Sequence, residues 1–228
     1  MVNDVIHLFF PRLCAGCHSA LRGSENIICL SCTFQLPKTH FHKNGQNNPL
    51  SSIFWGRAPV SFAAAYLNFR KQSMVQNLLH ELKYGAHPEL GIFLGTAYGM
   101  DLKDEPGFAD NDLIIPVPLH PKRLKERGYN QSEEFAKGLS QVLSIPIEAN
   151  TLIRRAYQGS QTNLNRYQRW ENVEHVFSIT NESCISQKSI LLVDDVLTTG
   201  ATLEACIHPL IQSGAKRISV ACIAAPVY

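Results

Sequence analysis

Residues Ile190 to Thr202 read ILLVDDVLTTGAT, and the fold of the chain turns on how that stretch is read. Ile190, Leu191, Leu192 and Val193 form an unbroken apolar run, the pattern of a strand buried on both faces of a parallel sheet. Asp194 and Asp195 fall where that strand ends, and the small or hydroxylated residues Thr198, Thr199, Gly200, Ala201 and Thr202 come next. From Leu203 the apolar residues Leu203, Ile207, Leu210 and Ile211 recur at helical spacing. The stretch predicts a central strand, an acidic pair, a tight turn and a helix.

A helix start leaves backbone N–H groups unpaired and carries a partial positive charge, so small residues there let a phosphate approach while threonine hydroxyls add donors. Two carboxylates at the same strand end would accept hydrogen bonds from adjacent sugar hydroxyls, or hold a hydrated Mg2+. Together they describe a ribose 5-phosphate site. The alternative is a strand, turn and helix with no ligand, which leaves two adjacent acids at a buried strand end without a reason. VDDVLTTGAT resembles the phosphoribosyl diphosphate (PRPP) signature of type I phosphoribosyltransferases. That resemblance implies that the acidic pair contacts the ribose 2- and 3-hydroxyls and that the following loop holds the 5-phosphate.

The 228 residues leave room for one α/β domain and a small appendage, and 45% hydrophobic with 18% charged residues is a globular composition. A net charge of +2 is too mild for nucleic-acid binding by electrostatics alone. The basic residues are uneven, however: Lys122, Arg123, Lys125 and Arg127 face a single Glu126 between Pro116 and Gln131, an excess that suits an anionic ligand. The apolar run of MVNDVIHLFF is too short for a secretory or membrane segment, and no other window reaches membrane length, so a cytoplasmic protein without a membrane span is expected.

Of the seven cysteines, Cys14, Cys17, Cys29 and Cys32 form two CxxC pairs, while Cys184, Cys206 and Cys222 are scattered and read as core or incidental. Four thiolates from two such turns suit one tetrahedral, structural Zn2+, with Gly16 allowing the tight reversal. A redox pair or unmetallated thiols are the alternatives; a redox CxxC is expected at the head of a helix in a βαβ unit, a context missing from this pattern. The predicted organisation is a zinc module over 1–45, a polar linker over 46–59 and the main domain over 60–228.

Within the main domain, Val60 to Phe69 reads as a strand, Lys71 to Tyr84 as an amphipathic helix and Pro88 to about Leu102 as another. Asp112 to Val117 is expected as the first strand of the catalytic core, followed by the turn Val117-Pro118-Leu119, a basic loop HPKRLKERGYNQ and a helix from about Asn130 to Leu143. Ile147 to Ile153 reads as a short strand. The long polar stretch from Ala156 to Asn172 reads as a lid or a solvated excursion. Pro209 should kink the helix after the TTGAT turn, and Arg217 to Ala225 is the last buried strand. The β-helix-β alternation predicts a parallel sheet flanked by helices, with its crevice at the strand C-terminal ends.

Beyond the PRPP signature, the cysteine knuckle, Lys83-Tyr84-Gly85, Pro116-Val117-Pro118-Leu119, RGYNQS, Gln161 with Leu164, Arg169 with Asn172-Val173, Phe177 and LLVDDVLTTGAT occur in the order found in the ComF family, which the chain resembles over nearly its whole length. The resemblance implies a type I phosphoribosyltransferase fold with an N-terminal zinc module, linked to natural competence and DNA uptake. It points to Asp194 and Asp195 as the catalytic pair, to Thr198, Thr199, Gly200, Ala201 and Thr202 for the 5-phosphate, and to Val117, Pro118 and Leu119 as a pyrophosphate loop. Arg127, Asn130 and Gln131 are its neighbours, and Arg155, Arg166 and Arg169 are lid candidates; Arg123 and Lys125 read as solvated. Mg2+ would accompany PRPP. The competing reading is a non-catalytic PRPP-binding adaptor acting through DNA-uptake proteins, and a secondary role in binding single-stranded DNA has few aromatics to support it. The acceptor is not legible, although helices near Lys71 to Leu102 are placed to form a hood over it, and no feature sets an oligomeric state.

Overall fold

The computed structural model describes residues 11–154 and 176–226. In chain order these hold α1 (Leu30–Phe34), a 3-10 turn (Phe41–Asn44), α2 (Pro49–Ser52), β1 (Phe62–Phe69), α3 (Met74–Tyr84), α4 (Pro88–Leu102), α5 (Pro106–Ala109), β2 (Leu113–Pro116), α6 (Pro121–Arg127) and α7 (Gln131–Leu143). After them come β3 (Leu152–Arg154), β4 (Phe177–Ile179), a second 3-10 turn (Glu182–Cys184), β5 (Ser189–Val196), α8 (Ala201–Gln212) and β6 (Arg217–Pro226). The main sheet has the order β1-β6-β5-β2 with every pairing parallel, and β3 and β4 form a separate antiparallel ribbon.

The apolar run of β5 has the cause its sequence predicts. Ile190 and Leu192 pack with Leu203, Cys206, Ile207 and Leu210 of α8, while Leu191 and Val193 point into the opposite layer with Leu78, Leu94 and Phe135 of α3, α4 and α7. From β2 the chain crosses α7 to Ile147, which bridges in parallel to Ile114 beyond the edge of β2. From β5 it crosses α8 the other way, to β6. The two crossovers diverge, so the crevice between the ends of β2 and β5 is a topological switch point, the position where open α/β sheets bind ligands.

Helices α4 and α7 lie unusually close because glycines meet there. A Cβ on Gly95 would fall 2.2 Å from the Phe135 carbonyl, and one on Gly138 would fall 2.2 Å from that of Ile92. The close seating brings the start of α7 up against the sheet. Helix α3 begins at Ser73, stops at Gly85 and buries Val75, Leu78, Leu79 and Leu82, as its periodicity predicts.

Several expectations change. The main sheet does not begin at Asp112: β1 is its edge strand, in register with β6 from Phe62 opposite Ser219 to Phe69 opposite Pro226. Its small residues Ala63, Ala64 and Ala65 are fully buried between the two helical layers. The basic loop after Leu119 is a helix, α6, capped by the His120 ring and ended by Gly128 at φ 80°; its charged surface, with no buried side chain, hid the periodicity. The expected strand from Ile147 to Ile153 is broken, because the Asn150 amide donates to the Glu148 carboxylate in a local turn before β3 begins. Helix α8 continues past Pro209 to Gln212, and Pro209 sits so near the C-terminus that it forfeits one hydrogen bond in the last turns.

The stretch 46–59, read as a linker, is built into the domain. Asn48 caps α2 and its amide nitrogen donates to the carbonyls of Asn44 and Ala63, at 2.9 and 2.8 Å. Leu50 and Phe54 are buried with the α8 layer. The segment 37–39 also runs along the free edge of β1, with the Thr39 amide donating to Tyr66 and the Asn68 amide to Pro37, so this edge is covered. Among the described residues, no helix is long and apolar enough to cross a membrane.

Candidate functional site

Asp194 and Asp195 fall at the end of β5 at the switch point, and groups from neighbouring helices reach them. The Ser132 hydroxyl, in the first turn of α7, donates to Asp194 at 3.0 Å, and the Asp195 backbone amide donates to the same oxygen at 2.8 Å. The Lys83 ammonium, from the last turn of α3, lies 2.6 Å from the Asp195 carboxylate. Burial, and then the neighbouring Asp195 charge, push the Asp194 carboxyl up to about 7, against the pull of its two hydrogen bonds. The pair therefore holds a proton or demands a cation, and Lys83 meets half of that demand.

A cavity of about 140 Å3 opens over the pair. The structure brings to it the expected Val117, Pro118, Leu119, Arg127, Asn130, Gln131 and Thr202, together with Lys83, Arg123, Ser132 and Arg154. Val117 is fixed from two sides: its amide donates to Val193, and its carbonyl accepts from the Asn130 side chain at 3.0 Å. Asn130 in turn caps α7, with its side-chain oxygen accepting from Ser132. Arg127 donates to Gln131 at 2.7 Å. Arg155, Arg166 and Arg169 lie outside the described residues; Lys125 does not line the cavity.

A second, smaller recess is lined by Asp194 and by Val196 to Leu203. Thr198, Thr199, Ala201 and Thr202 are exposed around it, and Gly200 is the N-cap of α8 with φ 77°. Glycine is needed there twice over, for that backbone angle and because a Cβ would meet Ile53 at 2.8 Å. The residues that press on the loop belong to the segment read as a linker. Arg57 joins them, donating to the Thr199 carbonyl at 2.9 Å and pairing with Glu204 in the first turn of α8. Arg57 thereby ties the loop to the first turn of α8. Because exposed ion pairs contribute little to stability, Arg57→Met should change the melting temperature only slightly, whereas a role in shaping the loop predicts about tenfold weaker binding of a phosphate ester there, with partial recovery in Arg57→Lys. Calorimetric titration of the three proteins checks this.

Lys83, Ser132, Arg154 and Arg57 were not singled out as site residues from sequence. Lys83 carried a signal, a cation just before the glycine that stops a helix at the strand-end side of the sheet. Ser132 lay within the RGYNQS segment but was not read as a partner of the acidic pair, and Arg154 and Arg57 carried no signal, since each reaches the site through a tertiary contact.

At the other end, the sulfur atoms of Cys14, Cys17, Cys29 and Cys32 all lie within 4.8 Å of one another and could hold a metal ion. The Cys17 and Cys29 sulfurs are 3.8 Å apart, the edge of a tetrahedron whose centre-to-sulfur distance is about 2.3 Å. Cys14 accepts backbone N–H bonds from Gly16 and Cys29. Burial, and then the other cysteines, hold the Cys32 thiol far above its ordinary range, so the four cannot all ionise unless a cation joins them. The cluster rests on α3: Cys14 and Cys32 share a core with Val75 and Leu78, and the Gly16 carbonyl accepts from Asn77 at 2.8 Å. Cys206 and Cys222 are buried in the main core, as expected of incidental cysteines.

Residues 130–226 match the family described as phosphoribosyl transferase domain. That span runs from the cap of α7 through β6 and includes the acidic pair and the glycine turn; with the parallel sheet, the fold is that of a phosphoribosyltransferase domain. Competence protein ComFC of Streptococcus pneumoniae is 34% identical over 208 residues, 90% of this chain and 84% of that protein. Competence protein F of Haemophilus influenzae is 26% identical over 224 residues, covering 94% of this chain and 91% of its own length. DNA utilization protein YhgH of Escherichia coli K12 is 25% identical over 214 residues, 92% and 89% of the two chains. The chain belongs to the ComF family.

Proposed function

We propose that the protein binds PRPP with Mg2+ in the crevice between β2 and β5 and transfers its phosphoribosyl group to an acceptor with release of pyrophosphate. The observation that carries this is the meeting, at one switch point, of an acidic pair short of a cation and a glycine-capped helix start lined with threonines. Asp194 and Asp195 accept the ribose hydroxyls. Thr198, Thr199 and Thr202, with the amides of Gly200 and Ala201, bind the 5-phosphate. Val117, Pro118 and Leu119, flanked by Arg127, Asn130 and Gln131, receive the pyrophosphate.

The donor set fits Mg2+, since the carboxylates are hard oxygen ligands and the pair lacks a full counter-charge. When bound, the ion neutralises charge on the pyrophosphate. The chain's own residues orient C1 between the ribose and pyrophosphate contacts, exclude water and place Lys83 and Arg127 where negative charge develops on the leaving group. No covalent nucleophile is required.

The thiolates of Cys14, Cys17, Cys29 and Cys32 would hold a structural Zn2+, closed to chemistry by its four ligands. Free thiolates of this kind need a reducing compartment, which supports action in the cytoplasm. The names of the relatives support a role in competence or the handling of incoming DNA.

Calorimetric titration with PRPP and Mg2+ tests the reading. Micromolar binding that disappears in Asp194→Asn, Asp195→Asn is expected, followed by pyrophosphate release when an acceptor is supplied. Binding without release for any acceptor would favour an adaptor that senses PRPP, and absence of binding in the wild type would sink the proposal.

A further inference from the structure

We infer that the cavity beside the ribose site, bounded by the end of α3 and by α6, is the acceptor site and takes a planar organic anion. The inference rests on the PRPP reading above and names what that site would act upon. The cavity measures about 550 Å3 and is lined by Lys83, Tyr84, Ala86, Arg123, Glu126 and Arg127. It shares Lys83, Arg123 and Arg127 with the cavity over the acidic pair. A ligand in one is therefore next to a ligand in the other.

Size separates it from the sites already assigned. A volume near 550 Å3 falls within the usual range for small organic ligands, roughly 300–1,000 Å3, and is more than a pyrophosphate group fills. Pyrophosphate has its own candidate turn at Val117 to Leu119, which does not line this cavity. Neither do the phosphate-loop residues.

Charge sets the kind of ligand. Three cations face one acid, Glu126, and two of the three are engaged: Lys83 with Asp195, and Arg127 with Gln131. Arg123 has no ion-pair or hydrogen-bond partner among the described residues. Its guanidinium is free to take a carboxylate or phosphate in a two-pronged bond. Shape adds the second requirement. Tyr84 lines the cavity and stands 67% exposed at the end of α3, with the Arg127 guanidinium, also in the lining, 5.3 Å from its ring centre. The exposed phenol ring and the guanidinium beside it offer flat surfaces to a planar ring, and the free arginine binds an anionic substituent on it.

The probes are orotate, a pyrimidine bearing a carboxylate, and uracil, the same ring without it. Each is titrated calorimetrically into the full-length protein with Mg2+ and saturating ribose 5-phosphate, which occupies the ribose site but carries no leaving group. Orotate is expected to bind at least tenfold tighter than uracil. Tyr84→Ala should weaken orotate about tenfold and Tyr84→Phe should restore it, while affinity for ribose 5-phosphate stays within twofold in both. Tyr84 is exposed, and a melting curve confirms that the variants fold. Uracil binding as well as orotate, no orotate binding, or no effect of Tyr84→Ala would overturn the inference; so would inorganic pyrophosphate proving the Tyr84-dependent occupant. If orotate binds in the Tyr84-dependent way but ribose 5-phosphate does not bind, the PRPP reading fails and the planar-anion cavity stands.

Discussion

Asp194→Asn should make the protein more stable and abolish PRPP binding. The Asp194 carboxyl ionises near 7 in the folded chain, raised chiefly by burial and next by Asp195, against about 3.9 in the unfolded chain. Between those values the folded state binds more protons than the unfolded one, so stability falls as pH rises from about 4 to about 7 and is level beyond. Asparagine cannot ionise and escapes that loss. The gain is therefore near zero at pH 3, grows through pH 5 and reaches about 4 kcal/mol above pH 7, or about 8–16 °C in melting temperature for a chain of this size. Melting curves of both proteins across pH 3 to 8 decide it: a constant difference at all pH values would mean that the carboxyl is not perturbed. The same linkage acts on the ligand. Ribose hydroxyls and a hydrated cation favour the carboxylate, so wild-type affinity for PRPP should drop by up to tenfold per pH unit below about 7, with proton release visible as a dependence of the binding heat on buffer.

Removing the metal from the cysteine cluster should have the larger effect on folding. Structural zinc contributes on the order of 10 kcal/mol to small metal-folded modules. The cluster is not isolated here, since Cys14 and Cys32 are part of the α3 core and Gly16 is hydrogen-bonded to Asn77. Chelation, or Cys32→Ser, should therefore lower the melting temperature by about 10 °C or more and loosen α3, which carries Lys83. Elemental analysis should find one zinc per chain in the wild type and none in Cys32→Ser, and Cys184→Ser should match the wild type in both respects. Full thermal stability without metal would show that packing alone holds the knuckle.

Much of the site was legible because its chemistry lies in consecutive residues. The strand, the acidic pair and the glycine-capped turn of 190–202 are local: each follows from the burial of four apolar residues, the end of a strand and the start of a helix. The turn at Val117 and the helix start near Asn130 were legible for the same reason, and so was the CxxC spacing. The stretch 46–59 misled because its polar residues look like solvated turns, yet Asn48 uses its amide on buried carbonyls, and Ile53, Phe54 and Arg57 close over a loop nearly 150 residues later.

By itself, then, the sequence determined the parallel α/β class, the buried central strand, the phosphate turn and the four-cysteine cluster, since these depend on periodicity and on residues a few positions apart. The tertiary structure alone decided that β1 joins the main sheet, that Lys83 and Ser132 reach the acidic pair, that Arg57 braces the turn before α8 and that a basic cavity opens between α3 and α6. Each of those requires two distant segments to meet, and which segments meet is set by the crossovers and by close helix packing of the kind seen where Gly95 faces Gly138.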